Sequence, residues 1–304
     1  MIDYIKEIAK LKKEKNAVIL AHFYQRPEIQ DIADYTGDSL YLSKVARDID
    51  AEMIVFCGVH FMAETAKILS PDKLVILPRE DAGCPMADMA TANKLKEYKK
   101  NNSDTKIVSY VNTTAEIKAL SDVCVTSSNA ETVIKEFKDE KLMYVPDQNL
   151  GSYLKDKFDL RMDLWPGFCY VHNRFNLEDI EAMKHKYPNA KFLAHPEMKL
   201  EIVKQADYVG STKALLEYTK QSDDEQFLVG TEVGIIHQMR LASPDKEFIE
   251  INQDFYCRNM KKTHLEDLYN ALLNEETKIT IPDEILEPAR KSLDIMFEIT
   301  EKNA

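Results

Sequence analysis

Short apolar runs recur along the chain, and each ends at polar residues. In the first part of the sequence they occupy residues 17–21, 53–57 and 74–77, the length and composition of strands covered on both faces of a sheet. Segments with apolar residues at helical spacing lie between them, as in residues 2–13 and 62–69. Short strands that alternate with helices predict an α/β fold with parallel sheets.

The pattern repeats twice more at a nearly constant offset. Cys84 is followed after 85 residues by Cys169, and Cys169 after 88 residues by Cys257. Offsets of 84 to 88 residues also relate three sets of residues at the ends of apolar runs: His22, Tyr110 and His195; Ser39, Ser127 and Thr212; and His60, Gln148 and Glu232. One α/β unit of about 86 residues is therefore expected in three copies.

The repeat predicts an α/β fold of three α/β/α units with short parallel sheets, related by a pseudo-threefold axis around a central active site. The predicted units are residues 1–85, 86–171 and 172–261. We expect the C-terminal helices, within residues 262–304, to pack back on unit one.

Composition limits the possible partners. A net charge of −12 argues against a nucleic-acid or anionic-membrane surface, which would need a basic patch. Apolar runs all fall short of the roughly 18–20 residues of a membrane span. The five cysteines, an odd number without tight pairs, do not suggest a disulfide framework. A cytoplasmic protein with small-molecule ligands is expected.

The cysteines divide into two groups. Cys57 and Cys124 lie inside apolar runs and are expected to be buried in the core. Cys84, Cys169 and Cys257 lie in loops at equivalent points of the three copies, so a threefold arrangement would bring three sulfurs to one metal site. Zinc with an open fourth position and a [4Fe–4S] cluster with one iron lacking a cysteine both fit this pattern.

Histidines and carboxylates at the predicted strand ends suggest acid–base chemistry. His22 and His195 end matching strands, and Tyr24 and Glu197 each follow two residues later. Such a set around an anion pocket would serve proton transfer. His172, three residues after Cys169, is expected beside the metal.

Eleven motifs, in order along nearly the whole chain, resemble the quinolinate synthase family, the iron–sulfur enzymes of NAD biosynthesis. They are AHFYQ (21–25), GDS (37–39), FMAET (61–65), CPMA (84–87), YVNT (110–113), TSSNA (126–130), PDQNLG (146–151), HPE (195–197), VGST (209–212), GTE (230–232) and NMKK (259–262).

The resemblance implies condensation of iminosuccinate with dihydroxyacetone phosphate to quinolinate, phosphate and water, and a functional link to the enzyme that supplies iminosuccinate. It implies a [4Fe–4S] cluster on Cys84, Cys169 and Cys257, with one open iron as Lewis acid. It makes Tyr24 and Glu197 acid–base residues. We expect Glu197 to move a proton in the keto–aldo isomerisation of the three-carbon substrate, and Tyr24 with His22 or His195 to assist loss of phosphate or water. The residues it implies for substrate binding are His22, Ser39, Tyr110, Asn112, Ser127, His195, Glu197 and Thr212.

Four positions depart from the usual family pattern. They are Phe23, Gly83, Met198 and Arg258, where Asn, Thr, Cys and Pro are common. Phe23 and Arg258 are next to site residues, so fine positioning is what they would affect. The alternative functions are a tris-cysteine zinc hydrolase or lyase and a non-catalytic protein that binds a dianion.

Overall fold

The computed structural model describes residues 2–252 and 255–303. Its strands are β1 (Ala17–His22), β2 (Tyr35–Gly37), β3 (Met53–Cys57), β4 (Leu74–Ile76), β5 (Thr105–Tyr110), β6 (Val123–Val125), β7 (Lys141–Val145), β8 (Met162–Leu164), β9 (Lys191–Ala194), β10 (Tyr208–Val209), β11 (Gln226–Gly230) and β12 (Glu247–Glu250). Its helices are α1 (Tyr4–Glu14), α2 (Pro27–Ile32), α3 (Ser39–Asp48), α4 (His60–Leu69), α5 (Pro85–Asp88), α6 (Ala92–Asn101), α7 (Ala115–Ala119), α8 (Ala130–Lys135), α9 (Gln148–Phe158), α10 (Leu177–Lys186), α11 (Leu200–Val203), α12 (Thr212–Gln221), α13 (Ile235–Ala242), α14 (Leu265–Asn274) and α15 (Asp283–Lys302).

The strands form three four-stranded sheets with one topology. Their orders are β2-β1-β3-β4, β6-β5-β7-β8 and β10-β9-β11-β12. All pairings within them are parallel. This confirms the predicted α/β fold of three similar units. Each sheet takes its strands from one predicted unit, while the unit boundaries themselves stay a prediction.

Buried apolar side chains explain the central strands. In β1 and β3 nearly every residue is buried, as expected for parallel strands covered by helices on both faces. The shorter β2 was missed because Tyr35–Gly37 carries no apolar run. It pairs with β1 in parallel, and Gly37 stands opposite His22 at the carboxyl end of the pair. Asp38 and Ser39, which follow directly, are thereby brought to the same edge of the sheet as His22.

The C-terminal helices differ from the expectation that both cover unit one. Helix α14 does pack there, because its Leu268 and Leu272 share a core with Ile8 of α1. Helix α15 contributes Leu293 and Met296 mainly to the core of unit two, where it packs on α7 and β6. It also contacts α4 of unit one, whose Ile68 and Leu69 belong to the same core, so the expectation for α15 is met only in part.

A search of the described residues for a helix both long and apolar enough to cross a lipid bilayer found none.

Candidate functional site

One cavity collects all the residues predicted for the site. Parallel sheets place their loops and helix N-termini at the carboxyl ends of strands, where ligands bind in open α/β folds. Three such edges converge here. The predicted residues that line the cavity are His22, Tyr24, Ser39, Cys84, Tyr110, Asn112, Ser127, Cys169, His195, Glu197, Thr212 and Cys257.

Helix N-termini from the three units approach the cavity. Helix α3 begins at Ser39 and α12 begins at Thr212, while Ser127 lies in the turn before α8. The first N–H groups of a helix lack partners within the helix, and the helix dipole is positive at this end. The matched positions Ser39, Ser127 and Thr212 therefore form a region suited to an anion.

His22 and His195 have the same local geometry in units one and three. Nδ1 of His22 accepts a hydrogen bond from the backbone N–H of Tyr24 at 3.1 Å, and Nδ1 of His195 accepts one from Glu197 N–H at 3.3 Å. Burial lowers the pKa of each imidazole to about 3, so both rings are neutral at pH 7. With Nδ1 accepting, the ring proton is on Nε2. Each histidine thus offers an uncharged N–H donor to the cavity.

A chain of hydrogen bonds joins Tyr24 to Glu197. The Tyr24 hydroxyl lies 2.7 Å from Oγ1 of Thr231, which lies 2.9 Å from Nε2 of His172. Nδ1 of His172 lies 2.9 Å from Oε2 of Glu197. At the far end Tyr110 donates its hydroxyl to Oε1 of Glu197 at 2.6 Å. The two predicted acid–base residues are therefore linked through Thr231 and His172 of unit three, and Tyr110 of unit two holds the Glu197 end.

Electrostatic interactions and burial give the two ends of this hydrogen-bond chain, Glu197 and Tyr24, different protonation states. Burial by itself would raise the pKa of Glu197, but His172, His195 and the Tyr110 hydroxyl outweigh it and lower that pKa to about 2. Burial, and then the charge of Glu197, raises the pKa of Tyr24 well above its ordinary value. At neutral pH Glu197 is a carboxylate, and Tyr24 holds its proton.

The three predicted metal cysteines lie close enough to affect each other's ionisation. Burial, with a smaller effect of the nearby Cys257, raises the pKa of Cys84 to about 12. Burial raises the pKa of Cys169 as well, and Glu197, Cys257 and Cys84 add to that effect. Mutual repulsion among thiolates is what a multivalent cation relieves, since metal charge stabilises a coordinated thiolate. The donor set fits a metal or cluster held at this end of the cavity.

Cys169 also belongs to a second donor group. Its Sγ lies 3.2 Å from Nδ1 of His172. Ligand atoms of Cys169, His172 and Glu197 all lie within 4.8 Å of one another. This places His172 beside a metal-capable cysteine, as expected. Cys57 and Cys124 lie in β3 and β6, fully buried, which confirms their placement in the core.

The four departures from the family pattern leave the cavity largely intact. Phe23 packs into the core of unit three, and Met198 is fully buried in the neighbouring core. Arg258 is exposed, and its backbone N–H donates to the Tyr170 hydroxyl at 2.8 Å. Gly83 lines the cavity, but a Cβ added there would meet no heavy atom of the described residues within 4 Å. Packing therefore neither requires a glycine nor excludes a side chain at position 83.

Sequence reasoning missed several residues that the structure brings to the site. Thr231 connects Tyr24 to His172, and Glu232 also lines the cavity. The sequence could have predicted Glu232 as a site residue, because it matches His60 and Gln148 in the repeat. For Thr231 the sequence offers only its place in the GTE motif. His60 itself is exposed at the start of α4, with Nδ1 3.8 Å from Oε2 of Glu64.

Comparison with known proteins identifies the family of the chain. Residues 6–298 match the family described as NadA, quinolinate synthetase A protein. The chain is 48% identical to the quinolinate synthase of Caldicellulosiruptor bescii over 294 residues, 96% of this chain and 97% of that protein. It is 48% identical to the quinolinate synthase of Clostridium perfringens over 299 residues, 98% and 99% of the two chains. The enzyme of that name from Alkaliphilus metalliredigens is 47% identical over 296 residues, 97% and 98% of the two chains. The chain is therefore an enzyme that belongs to the quinolinate synthetase A family.

Proposed function

We propose that this chain forms quinolinate by condensing iminosuccinate with dihydroxyacetone phosphate, with release of phosphate and two waters. The supporting observation is the convergence of Cys84, Cys169 and Cys257, one from each unit, on the cavity that holds the Tyr24-to-Glu197 hydrogen-bond chain. A working link to the enzyme that supplies iminosuccinate follows from this proposal.

The proposed cofactor is a [4Fe–4S] cluster held by Cys84, Cys169 and Cys257. With three cysteines for four irons, the bound cluster supplies one electrophilic iron that polarises a substrate oxygen. The protein's part is to keep the three thiols together in a buried place, and the raised thiol pKa values show how strongly burial disfavours thiolates without a cation.

Substrate binding is proposed to rest on neutral donors. Both substrates are anions, yet the protein carries a net charge of −12. The N-termini at Ser39 and Thr212 and the Nε2–H groups of His22 and His195 supply local positive potential. Asn112 adds a buried Oδ1 that has no hydrogen-bond partner among the described residues and is open to a ligand donor.

Proton transfer is proposed to run through the hydrogen-bond chain. Glu197, which is ionised, accepts from Nδ1–H of His172, and Nε2 of the same ring accepts from Thr231. Thr231 in turn accepts from the Tyr24 hydroxyl. A proton leaving Tyr24 moves through Thr231 to His172, and Glu197 stabilises the imidazolium, as a carboxylate does in a Ser-His-Asp triad. The Tyr24 phenolate takes a proton from the substrate. When Tyr24 later donates that proton to a leaving group, the first proton returns from His172 through Thr231 to Tyr24.

Protein purified without oxygen tests the proposal. We expect brown protein with about four iron and four sulfide per chain, and conversion of the two substrates to a pyridine dicarboxylate detected by chromatography. A colourless protein that holds one zinc and forms no quinolinate would favour the hydrolase or lyase alternative. The Cys169, His172 and Glu197 group gives zinc a specific place to bind. Binding of the substrates without turnover would favour the dianion-binding protein.

A further inference from the structure

A buried ion pair outside the proton chain lies in unit three, where it faces the end of β1 of unit one. Nζ of Lys261 lies 3.1 Å from Oε1 of Glu232. The Glu232 side chain is fully buried, and that of Lys261 is 15% exposed. A buried pair of this kind gives little net stability over apolar residues of similar size, because both charges lose their hydration. Net stability therefore does not explain why the ion pair of Lys261 with Glu232 is present.

The carboxylate of Glu232 fixes the loop that carries Cys257. Oε1 accepts the backbone N–H of Cys257 at 2.9 Å, and Oε2 accepts that of Gly234 at 2.7 Å. Hydrogen bonds to an ionised acceptor are roughly twice as strong as neutral ones. Glu232 therefore sets the position from which the Cys257 thiol reaches the cavity.

The ammonium of Lys261 fixes the end of β1 in unit one. It donates to the carbonyl of Tyr24 in a short hydrogen bond and to the carbonyl of Gln25 at 3.3 Å. Arg26 donates Nε–H to the carbonyl of Lys261 at 2.7 Å, which closes a second link between the same segments. Since the N–H of Tyr24 is held by His22, the Lys261 contact leaves the Tyr24 backbone anchored on both sides.

Gly234 shows how tightly this group is packed. A Cβ at that position would lie 2.6 Å from Nζ of Lys261, 2.8 Å from Oε2 of Glu232 and 2.8 Å from Cα of Tyr24. The glycine has an ordinary helical backbone conformation, with φ of −59°, so sterics alone account for it. Any side chain here would push apart all three members of the group.

We propose that Glu232 and Lys261 form a positioning pair that holds the Cys257 loop and the Tyr24 backbone in one fixed arrangement. The cluster site and the acid–base tyrosine then cannot move independently. The role assigned to Tyr24 rests on the proposed function, whereas the hold on Cys257 does not.

The first test uses cluster-free protein and needs no activity. The rate at which iodoacetamide alkylates Cys257 is measured by peptide mass spectrometry, with Cys84 in the same molecule as reference. We expect Lys261→Met and Glu232→Gln to raise the Cys257 rate at least about fivefold relative to Cys84. Lys246→Met is the matched control, because Lys246 also donates its ammonium to backbone carbonyls of unit three, that of Thr219 at 2.7 Å and, in a short hydrogen bond, that of Ser222, but does not line the cavity. It should leave the ratio unchanged.

The second test measures whether Lys261 acts through Tyr24. In the loaded enzyme we expect Lys261→Met to lower kcat about tenfold or more, with KM and iron content near the parent values. In a Tyr24→Phe background the same change should add less than about twofold, because residues that act as one unit are not additive.

The double variant Glu232→Gln/Lys261→Met separates positioning from charge burial. It leaves no unpaired buried charge, so its Tm should lie closer to the parent than that of either single variant. Its Cys257 alkylation should stay fast and its kcat low. The proposal would be overturned if the double variant regained the parent alkylation rate and kcat along with the parent Tm. An unchanged alkylation ratio in Lys261→Met would also overturn it. A parent that makes no quinolinate would refute the proposed function instead, and the alkylation result would still decide the role of the pair.

Discussion

The hydroxyl of Tyr110 lies 2.6 Å from Oε1 of Glu197, so a tyrosine of unit two donates to a carboxylate of unit three. Nδ1 of His172 lies 2.9 Å from Oε2, the other oxygen of the same carboxylate. With both oxygens engaged by donors and its pKa lowered to about 2, Glu197 is held as an anion inside a cavity proposed for anionic substrates. Like charges repel, so a binding role alone does not account for this carboxylate.

Glu197→Gln removes that charge while keeping size and one hydrogen-bond acceptor. We expect the variant to fold, to keep its iron and to bind dihydroxyacetone phosphate at least as well as the parent. Its turnover should fall by roughly 10² or more, within the range for loss of an acid–base group. Steady-state kinetics with calorimetric binding of the phosphate ester separates the two effects.

The aldose isomer sharpens this test. If Glu197 serves the keto–aldo isomerisation, glyceraldehyde 3-phosphate should restore part of the lost rate. If Glu197 mainly stabilises the His172 imidazolium, both substrates should be equally slow. Near-parental turnover on dihydroxyacetone phosphate would remove Glu197 from the mechanism altogether.

The cysteines give a prediction with built-in controls. Cys84→Ser, Cys169→Ser and Cys257→Ser should each deplete iron and abolish quinolinate formation. Cys57→Ala and Cys124→Ala should keep full iron content and lower the free energy of unfolding by about 1–2 kcal/mol, the usual cost of a small buried truncation. Iron loss from either alanine variant, measured by colorimetric assay, would mean that the two groups of cysteines are sorted wrongly.

Much of the fold was predictable because the threefold repeat is visible in the spacing of sequence motifs. Residues at equivalent strand ends, such as Ser39, Ser127 and Thr212, fall in one register, and the identical order of the three sheets explains why. The destination of α15 was not predictable. Its apolar stripe shows that the helix is buried on one side, but a stripe alone does not say which unit presents the complementary face.

The site was predictable where it followed the repeat and hidden where it did not. The ion pair of Glu232 with Lys261 joins residues 29 positions apart whose side chains meet only after the loop of Cys257 folds back. Thr231 looked like an ordinary residue after a strand, and only its position between Tyr24 and His172 gives it a role. Contacts between side chains of different units depend on packing that no local pattern encodes.

Lys118 provides a prediction about substrate affinity. Its side chain is fully buried, and its ammonium donates to the carbonyl of Val111 at 2.8 Å and, in a short hydrogen bond, to that of Thr113. These carbonyls flank Asn112, whose Oδ1 is open to a ligand. Lys118→Met leaves two acceptors without this donor, so we expect a loss of about 1–3 kcal/mol in the free energy of unfolding. It should also give a KM several-fold higher and full iron content.

Lys99→Met is the control for that change. Lys99 also donates its ammonium to a backbone carbonyl, that of Leu120 at the end of α7, but does not line the cavity. It should leave KM at the parent value. Reduced stability of Lys118→Met with an unchanged KM would show that Lys118 supports the core and does not position Asn112.

The neutral histidines predict how stability depends on pH. His22 has a pKa of about 3 in the folded chain, against about 6.5 for an unperturbed histidine. As the pH falls, His22 is protonated in the unfolded chain before it is protonated in the folded one. The stability that the folded chain has with neutral His22 is therefore fully present above pH about 6.5 and is lost as the pH falls toward 3. Well below pH 6.5 the loss approaches about 1.4 kcal/mol per pH unit for this one group. His195 has the same lowered pKa and should contribute in the same direction.

His22→Asn isolates this contribution, because the Asn side-chain oxygen can still accept the Tyr24 N–H while the titrating ring is gone. Buried acids whose pKa values are raised, such as Glu232, oppose the histidines in the parent, so only the difference between variant and parent is informative. Urea unfolding of cluster-free protein at intervals between pH 7 and pH 4.5 should give a slope shallower by about 1.4 kcal/mol per pH unit in His22→Asn. Equal slopes for His22→Asn and the parent would mean that the folded protein lets His22 take up a proton near its ordinary pKa. The imidazole would then act as a cation toward its substrate rather than as the neutral Nε2–H donor proposed above.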